Sequence, residues 1–380
     1  MEQEAAYPAA RIVSPKVHAY FARQRAETNA NGNGRLATLP NVETIQAIVD
    51  AAFWASLRRE EGFIPKISLA FLSPQEASVA LLFERPLPLD PGVLTKVAPA
   101  VERPGIHLGV SRGPRGLWVW GTTRTIPSLC LVVEVAAPGL LVIKHHSSET
   151  TGKFTNVAVL EGDQVKLVDE SAAAVPDCPA ILSALLDSDS AASWVQSVNV
   201  LVQLAVSMRA HGRGGSLLVV PAESETWRQS IVSPMPYAVS PPFAQLSELA
   251  TVGSDDDNRL VWQETLNRTV DAVAGLTAVD GAVVMTDRYD VLGFGAKIIR
   301  RRSYSQVEEV IVTEPIEGGV ATLVHPDKLG GTRHLSAAQF VQDQHDCAAL
   351  VASQDGRFTV FEWSPCETMV HAHRIEALLL

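Results

Sequence analysis

Basic charge is what this chain is short of. Against 42 Asp and Glu it carries only 31 Lys and Arg, a formal net charge of -11 at pH 7. That balance excludes a surface built to hold nucleic acid or acidic lipid, so any phosphate it binds must be held in a local pocket. Cysteine is scarce too. Its four copies, Cys130, Cys178, Cys347 and Cys366, are far apart and make no CxxC pair, which excludes a structural zinc and a disulfide framework. A reducing cytoplasmic setting is expected. The chain also has no long apolar run: LCLVVEVAAPGLLVI is broken by Glu134 and Pro138 and falls short of a membrane span. MEQEAAYPAA has no basic start with an apolar stretch behind it, so no secretion signal is expected, and the sequon at Asn267 is then without meaning. No repeat of fixed period runs along the chain.

What is present is ordinary globular material, 47% hydrophobic and 19% charged over 380 residues, enough for two cores. Residues 1–40 read as one short helix, PKVHAYFARQRA, and a flexible connector, NANGNG. Residues 41–175 read as a β-rich α+β domain. Its first helix carries Ile45, Ile48, Val49, Ala52 and Phe53 at helical spacing, with Arg58 and Arg59 facing water at its end. Eight short runs follow, KISLAFL, SVALLFE, IHLGV, LWVWG, LCLVVEV, LLVIKH, NVAVLEG and VKLVDE, parted by turn clusters. The stretch SAAAVPDCPA leads into an α/β domain over residues 190–365. There a helix from Ser193 to Ala210, carrying Trp194 and Val198, ends at HGRGG. Next come the strand SLLVVP, a loop YAVSPPFAQLSEL, an acidic breaker SDDDN and a helix from Arg259 to Leu276. Strands AVVMTD, VLGFGAKI, AALVAS and FTVFEW complete a mixed central sheet flanked by helices.

Several motifs have plain readings. HGRGGS follows a helix and precedes a strand, the reverse of a phosphate loop, and reads as a helix C-cap. His145 and His146 face opposite sides of a strand and do not share a metal. Two other motifs keep two readings each. In LGGTRHLSAAQF, Thr332 is either the N-cap of a short helix or, with Gly331, Arg333 and His334, part of an anion site at a helix start. In AVDGAVVM, Asp280 and Gly281 are either a turn or a carboxylate placed to take Mg²⁺ or Mn²⁺ beside a glycine that lets a ligand approach.

These two motifs, DGA at Asp280–Ala282 and GTRH at Gly331–His334, resemble the signatures of the diadenylate cyclase (DisA N-terminal-like) family. HGRGGSLLVV, YAVSPPFAQLSEL and SQDGRFTVF, with Ser353 and Gln354, are similar to that family's flanking segments in the same order, over roughly residues 190–365. FWASLRREEG and the hairpins behind it look like the DACNV-type sensor domain found ahead of such cyclases. The resemblance implies an enzyme that joins two ATP into cyclic di-AMP, releasing two pyrophosphates, across a face-to-face dimer. The chemistry is then mostly positioning and charge neutralisation.

By that resemblance Asp280 holds Mg²⁺ or Mn²⁺, and Gly281 and Ala282 give backbone access. Thr332, Arg333 and His334 cradle phosphates, with Arg333 and His334 counted as catalytic beside Asp280. The strand from Gly293 to Ile298, through Gly295, lies along adenine and ribose, and Ser353 contacts the triphosphate. The chain departs from the family at Leu335, where a second arginine is usual. A lost charge-assisted hydrogen bond there is worth about 1.5–3 kcal/mol, roughly tenfold to a hundredfold in rate. Arg300, Arg301 and Arg302 are the candidates to replace it. The alternative is a degenerate domain that binds nucleotide without turnover.

Overall fold

Helix α1 runs from Pro8 to Ala30, and Val13, Val17 and Phe21 put one face of it into a core. It is longer than the sequence suggests. Proline favours the first helical position, so Pro15 reads as a start, but Pro8 takes that place and α1 continues through Pro15. Residues 1–40 are therefore more than a connector. The computed structural model describes residues 6–30, 36–114, 116–146, 154–169, 200–252 and 259–380. Trp194, Val198, Cys178, SAAAVPDCPA, SDDDN and most of NANGNG lie outside the described residues. By its internal contacts the chain divides into two units, 1–168 with Leu380, and 169–379.

In the first unit α2 (Val42–Ser56) starts at Asn41, whose side chain accepts the Thr44 N–H at 3.0 Å. It buries Ile45, Ile48, Val49 and Ala52, as their spacing requires. Each of the eight apolar runs becomes a strand: β1 (Ile67–Phe71), β2 (Ala80–Pro88), β3 (His107–Gly113), β4 (Gly116–Thr123), β5 (Leu131–Ala137), β6 (Leu140–His146), β7 (Phe154–Glu161) and β8 (Gln164–Leu167). A short helix, α3 (Pro91–Val97), lies between β2 and β3. The sheet order is β2-β4-β3-β1-β5-β6-β7-β8, with β1 and β3 parallel and the other pairs antiparallel. α1, α2 and the inner face of this sheet share one core. His145 bonds the Tyr20 hydroxyl at 3.1 Å and is buried, a structural role.

The second unit is built on α4 (Val200–Ala210), β9 (Gly215–Val220), β10 (Tyr237–Phe243), α5 (Gln245–Val252), α6 (Arg259–Leu276), β11 (Ala282–Thr286), β12 (Val291–Ala296), β13 (Val310–Thr313), β14 (Thr322–Val324), α7 (Thr332–Asp343), β15 (Ala348–Ala352), β16 (Phe358–Ser364) and β17 (Met369–Arg374). Its sheet order is β10-β12-β11-β9-β15-β16-β17-β13-β14. β9 pairs with β11, and β13 with β17, in parallel; the remaining pairs are antiparallel. Both units are thus mixed sheets with helices.

Three expectations change. YAVSPPFAQLSEL is a strand and a helix, since Pro241 and Pro242 are tolerated on an edge strand. The strand VLGFGAKI ends at Ala296, and Ile298 makes only an isolated bridge to Ile231. The sheet also continues past residue 365 through β17, which pairs with β16. α7 packs its Ala337, Ala338, Phe340 and Val341 on one face of this sheet, while α4 packs on α6 and on β15. Among the described residues no helix is long and apolar enough to cross a membrane.

Candidate functional site

Asp280 and Gly281 form the turn between α6 and β11. Gly281 has φ +111°, and a Cβ on it would stand 2.7 Å from the Gly295 carbonyl oxygen and 2.8 Å from its Cα. The two backbones therefore touch where β12 passes the turn, in the register that pairs Ala282 with Ala296. Gly295, at φ +70°, has the Tyr237 ring 2.7 Å from where its own Cβ would be, and Tyr237 stacks on Phe294 at 4.8 Å. The backbone pair fixes the direction in which Asp280 projects. Its side chain is 93% exposed and ion-paired with Lys297, itself 48% exposed. The Lys297 hydrogen bond, then its charge, hold the carboxyl below the usual range, with further help from the Arg333 cation and the Gly281 N–H.

Arg333 approaches from α7. That helix has Gly331, not Thr332, at its N-cap, and no side chain caps it. Thr332 is exposed in the first turn, and the N-cap reading of Thr332 is corrected by one residue. The Arg333 Nη1 lies 3.0 Å from the point a Gly214 Cβ would occupy, a point also 3.3 Å from the Ala352 oxygen and 3.4 Å from Gln354 Cγ. The HGRGG corner is tied to the same place. Arg209 Nε donates to the Gly356 oxygen at 2.9 Å, and His211 Nε2 and Thr277 Oγ1 are bonded at 3.2 Å, directly ahead of Asp280. Half-buried Ser353 opens the β15–β16 hairpin, its N–H bonded to the Arg357 oxygen at 2.9 Å.

His334 points elsewhere. It is 2% exposed, lies 2.6 Å by its Cε1 from where a Gly330 Cβ would be, and meets the Phe361 ring edge-on at 6.1 Å. Burial, above all, keeps its pKa low, and its Nε2 has no partner among the described residues. It backs the helix start as a neutral imidazole. Leu335, in the place of the second arginine, is half-buried against the core beneath α7.

Arg301 does not stand in for that arginine. Its N–H bonds Asp343 at 2.6 Å, and Asp343 ends the 12-residue helix that Thr332 begins, about 16 Å away along the axis. Its guanidinium lies over Tyr304.

Asp280, Gly281, Ala282, Gly295, Gly331, Thr332, Arg333 and Ser353 thus belong to one unit, with Asp280 and Arg333 within electrostatic reach of each other. Sequence reasoning missed Lys297 and Tyr237, which are brought in by the register of β10, β12 and β11; only alternation along VLGFGAK hints at Lys297. No three His, Cys, Asp or Glu side chains gather to hold a metal among the described residues.

A family model described as "Probable sensor domain DACNV" matches residues 34–124, the first unit from just before α2 to just past β4. The comparison with curated proteins gives no match.

Proposed function

We propose that the second unit is a metal-dependent nucleotidyltransferase of the diadenylate cyclase type, condensing two ATP into cyclic di-AMP, and that the DACNV-type unit ahead of it senses the controlling signal. The observation that supports the reading is the Asp280–Lys297 ion pair at a turn where two glycine backbones touch, with the Arg333 charge also favouring the Asp280 carboxylate. Two cations suit a triphosphate and its leaving pyrophosphate, and the contact of Gly281 with Gly295 holds the turn from which Asp280 projects.

Mg²⁺ or Mn²⁺ fits this donor set in one way. Such ions take one or two protein carboxylates and complete their shell with phosphate oxygens and water. Asp280 alone then suffices for an ion that arrives with the nucleotide, after its carboxylate leaves Lys297. The ion would shield phosphate charge and acidify the attacking hydroxyl. Arg333 and Thr332 would orient phosphates at the uncapped start of α7, and neutral His334 would brace that start from behind. Two such sites face to face in a dimer would complete the reaction.

Leu335 favours a second reading, nucleotide binding without turnover, because it withholds one phosphate contact. Incubation of the full chain with ATP and Mn²⁺ or Mg²⁺, followed by mass spectrometry, separates the two. Cyclic di-AMP that disappears in Asp280→Asn supports the cyclase. Tight ATP binding without product sinks it and leaves the nucleotide sensor.

A further inference from the structure

The first unit contains a cavity of about 900 Å³ with no part in the site above. Its volume is that of a small-molecule site, and its walls all fall within the DACNV match, from Glu43 to Leu117. One stripe of α2 makes the floor. The small side chains of Ala47 and Ala51 leave room there, and Leu89 and Leu117, joined by an N–H to O bond of 3.0 Å, form an apolar wall.

The charges around it are mixed. Among the described residues Arg58 and Arg112 face Glu43, Asp50 and Asp90, one negative charge in excess. Such a lining repels a polyanion, so a nucleotide triphosphate or nucleic acid is a poor occupant. It is equally poor for a plain cation, because Arg112 is held in place at the rim. Its Nη2 donates to Asn41 Oδ1 at 2.8 Å and to Thr44 Oγ1 at 2.7 Å. Both acceptors are neutral, and among the described residues Arg112 has no carboxylate partner. Both Nη2 hydrogens are thereby used, and the Nε–H and Nη1–H groups, on separate edges of the guanidinium, stay available as single charge-assisted donors to a ligand carboxylate, in an orientation fixed beforehand.

The complementary groups lie on the same helix. Glu43 precedes Thr44 and has no ion pair among the described residues, while Asp50 accepts the Tyr7 N–H through one oxygen at 2.6 Å and keeps the other. From Thr44 to Asp50 is six residues, about 9 Å along the axis, the reach of a short peptide or of an amino acid with a long side chain.

We infer that this cavity is the signal site of the sensor unit and takes a zwitterion of the amino-acid class, a free amino acid or short peptide, with its carboxylate on Arg112 and its ammonium on Glu43 or Asp50. The inference is independent of any cyclase activity.

Thermal melting of the full chain tests it with defined probes: the proteinogenic amino acids and Ala-Ala as zwitterions, succinate and inorganic phosphate as anions, and putrescine as a cation. At a hundred times its Kd, a true ligand should raise the first unit's midpoint by about 5–10 °C. At least one zwitterion should do so, with the anions and putrescine without effect. Arg112→Gln should abolish the shift. Ala47→Trp fills the floor without touching the two bonds that hold Arg112 and should abolish it too, so it decides the matter if Arg112→Gln fails to fold. The inference is overturned if no zwitterion shifts the midpoint, if succinate or phosphate acts as strongly, or if the shift survives in a folded variant. Asp280→Asn, in the other unit, should leave it intact.

Discussion

Replacing Gly281 with alanine tests the geometry on which the site rests, apart from any question of activity. The residue sits at φ +111°, where an L side chain costs about 1–3 kcal/mol. The added Cβ would then lie 2.7 Å from the Gly295 oxygen and 2.8 Å from its Cα. Both are main-chain atoms that cannot swing aside, so β12 must shift, an overpacking penalty of about 1–3 kcal/mol more. Together these effects should lower the melting midpoint of the second unit by roughly 5–20 °C. Gly331→Ala is the control: φ is −75° and nothing lies within 4 Å of its Cβ position, so only the N-cap preference for glycine over alanine is lost and the midpoint should fall by no more than about 4 °C. Differential scanning calorimetry of both variants reads the contrast. A Gly281→Ala protein that melts within 2 °C of wild type (about the effect of an indifferent surface change) would refute the close approach of the two strands.

Lys297→Ala should raise the Asp280 titration midpoint, because the hydrogen bond and charge that hold it down are removed; a carboxyl NMR titration that does not move would contradict the pair. Burial pushes Glu362 up from 4.5 to about 7, so the folded state holds its proton more tightly than the unfolded one. Its contribution is full below about pH 4.5 and is lost as pH climbs through 7, amounting to about 3 kcal/mol that Glu362→Gln should remove from the urea-unfolding profile. His107 and His145 behave in the opposite sense. Burial first, with the Lys144 and His146 charges behind it for His107, lowers each from 6.5 to about 4. The unfolded chain then takes up protons first, and stability present above pH 6.5 is lost as pH falls toward 4, by about 3 kcal/mol for each histidine. His107→Asn should lose less than wild type between pH 7 and pH 4.5, and an equal loss would refute the assignment.

The first unit was the more legible in the sequence, because each strand is a β-branched or apolar run closed by glycine, proline or asparagine, and those signals are local. Its eight runs became eight strands in one sheet. What failed was read from proline. Pro15 stood for a helix start, although Pro8 was the better one and buried Val13 and Phe21 carried the helix past it. Pro241 and Pro242 stood for a loop, although an edge strand needs no donor on its open side. β14 and β17 were missed because TLV is short and MVHAHR is interrupted by polar residues, while β13, VIVT, carried a β-branched signal over only four residues. At the site, Asp280, Arg333 and the glycines were visible as motifs. Lys297 was not, since it meets Asp280 only through the antiparallel register of β11 and β12. Leu335 could be read as a departure from a motif, but that it packs beneath α7 follows from the helix's rotation.

The Asp280–Lys297 pair and the backbone beneath it are stabilised in different ways. An ion pair whose carboxylate is 93% exposed contributes little to folding, so nothing in the stability of the unit requires these two side chains to stay together. The turn below them is costly to alter, because Gly281 and Gly295 are in contact and neither tolerates a Cβ. The chain therefore holds rigidly the position from which a carboxylate and an ammonium project, while leaving the bond between them weak enough to exchange. If exposed ion pairing were the purpose, an ordinary surface turn would serve as well. The rigidity has a use when something else must fit between them, and half-buried Arg333 adds a further positive charge that already favours the Asp280 carboxylate.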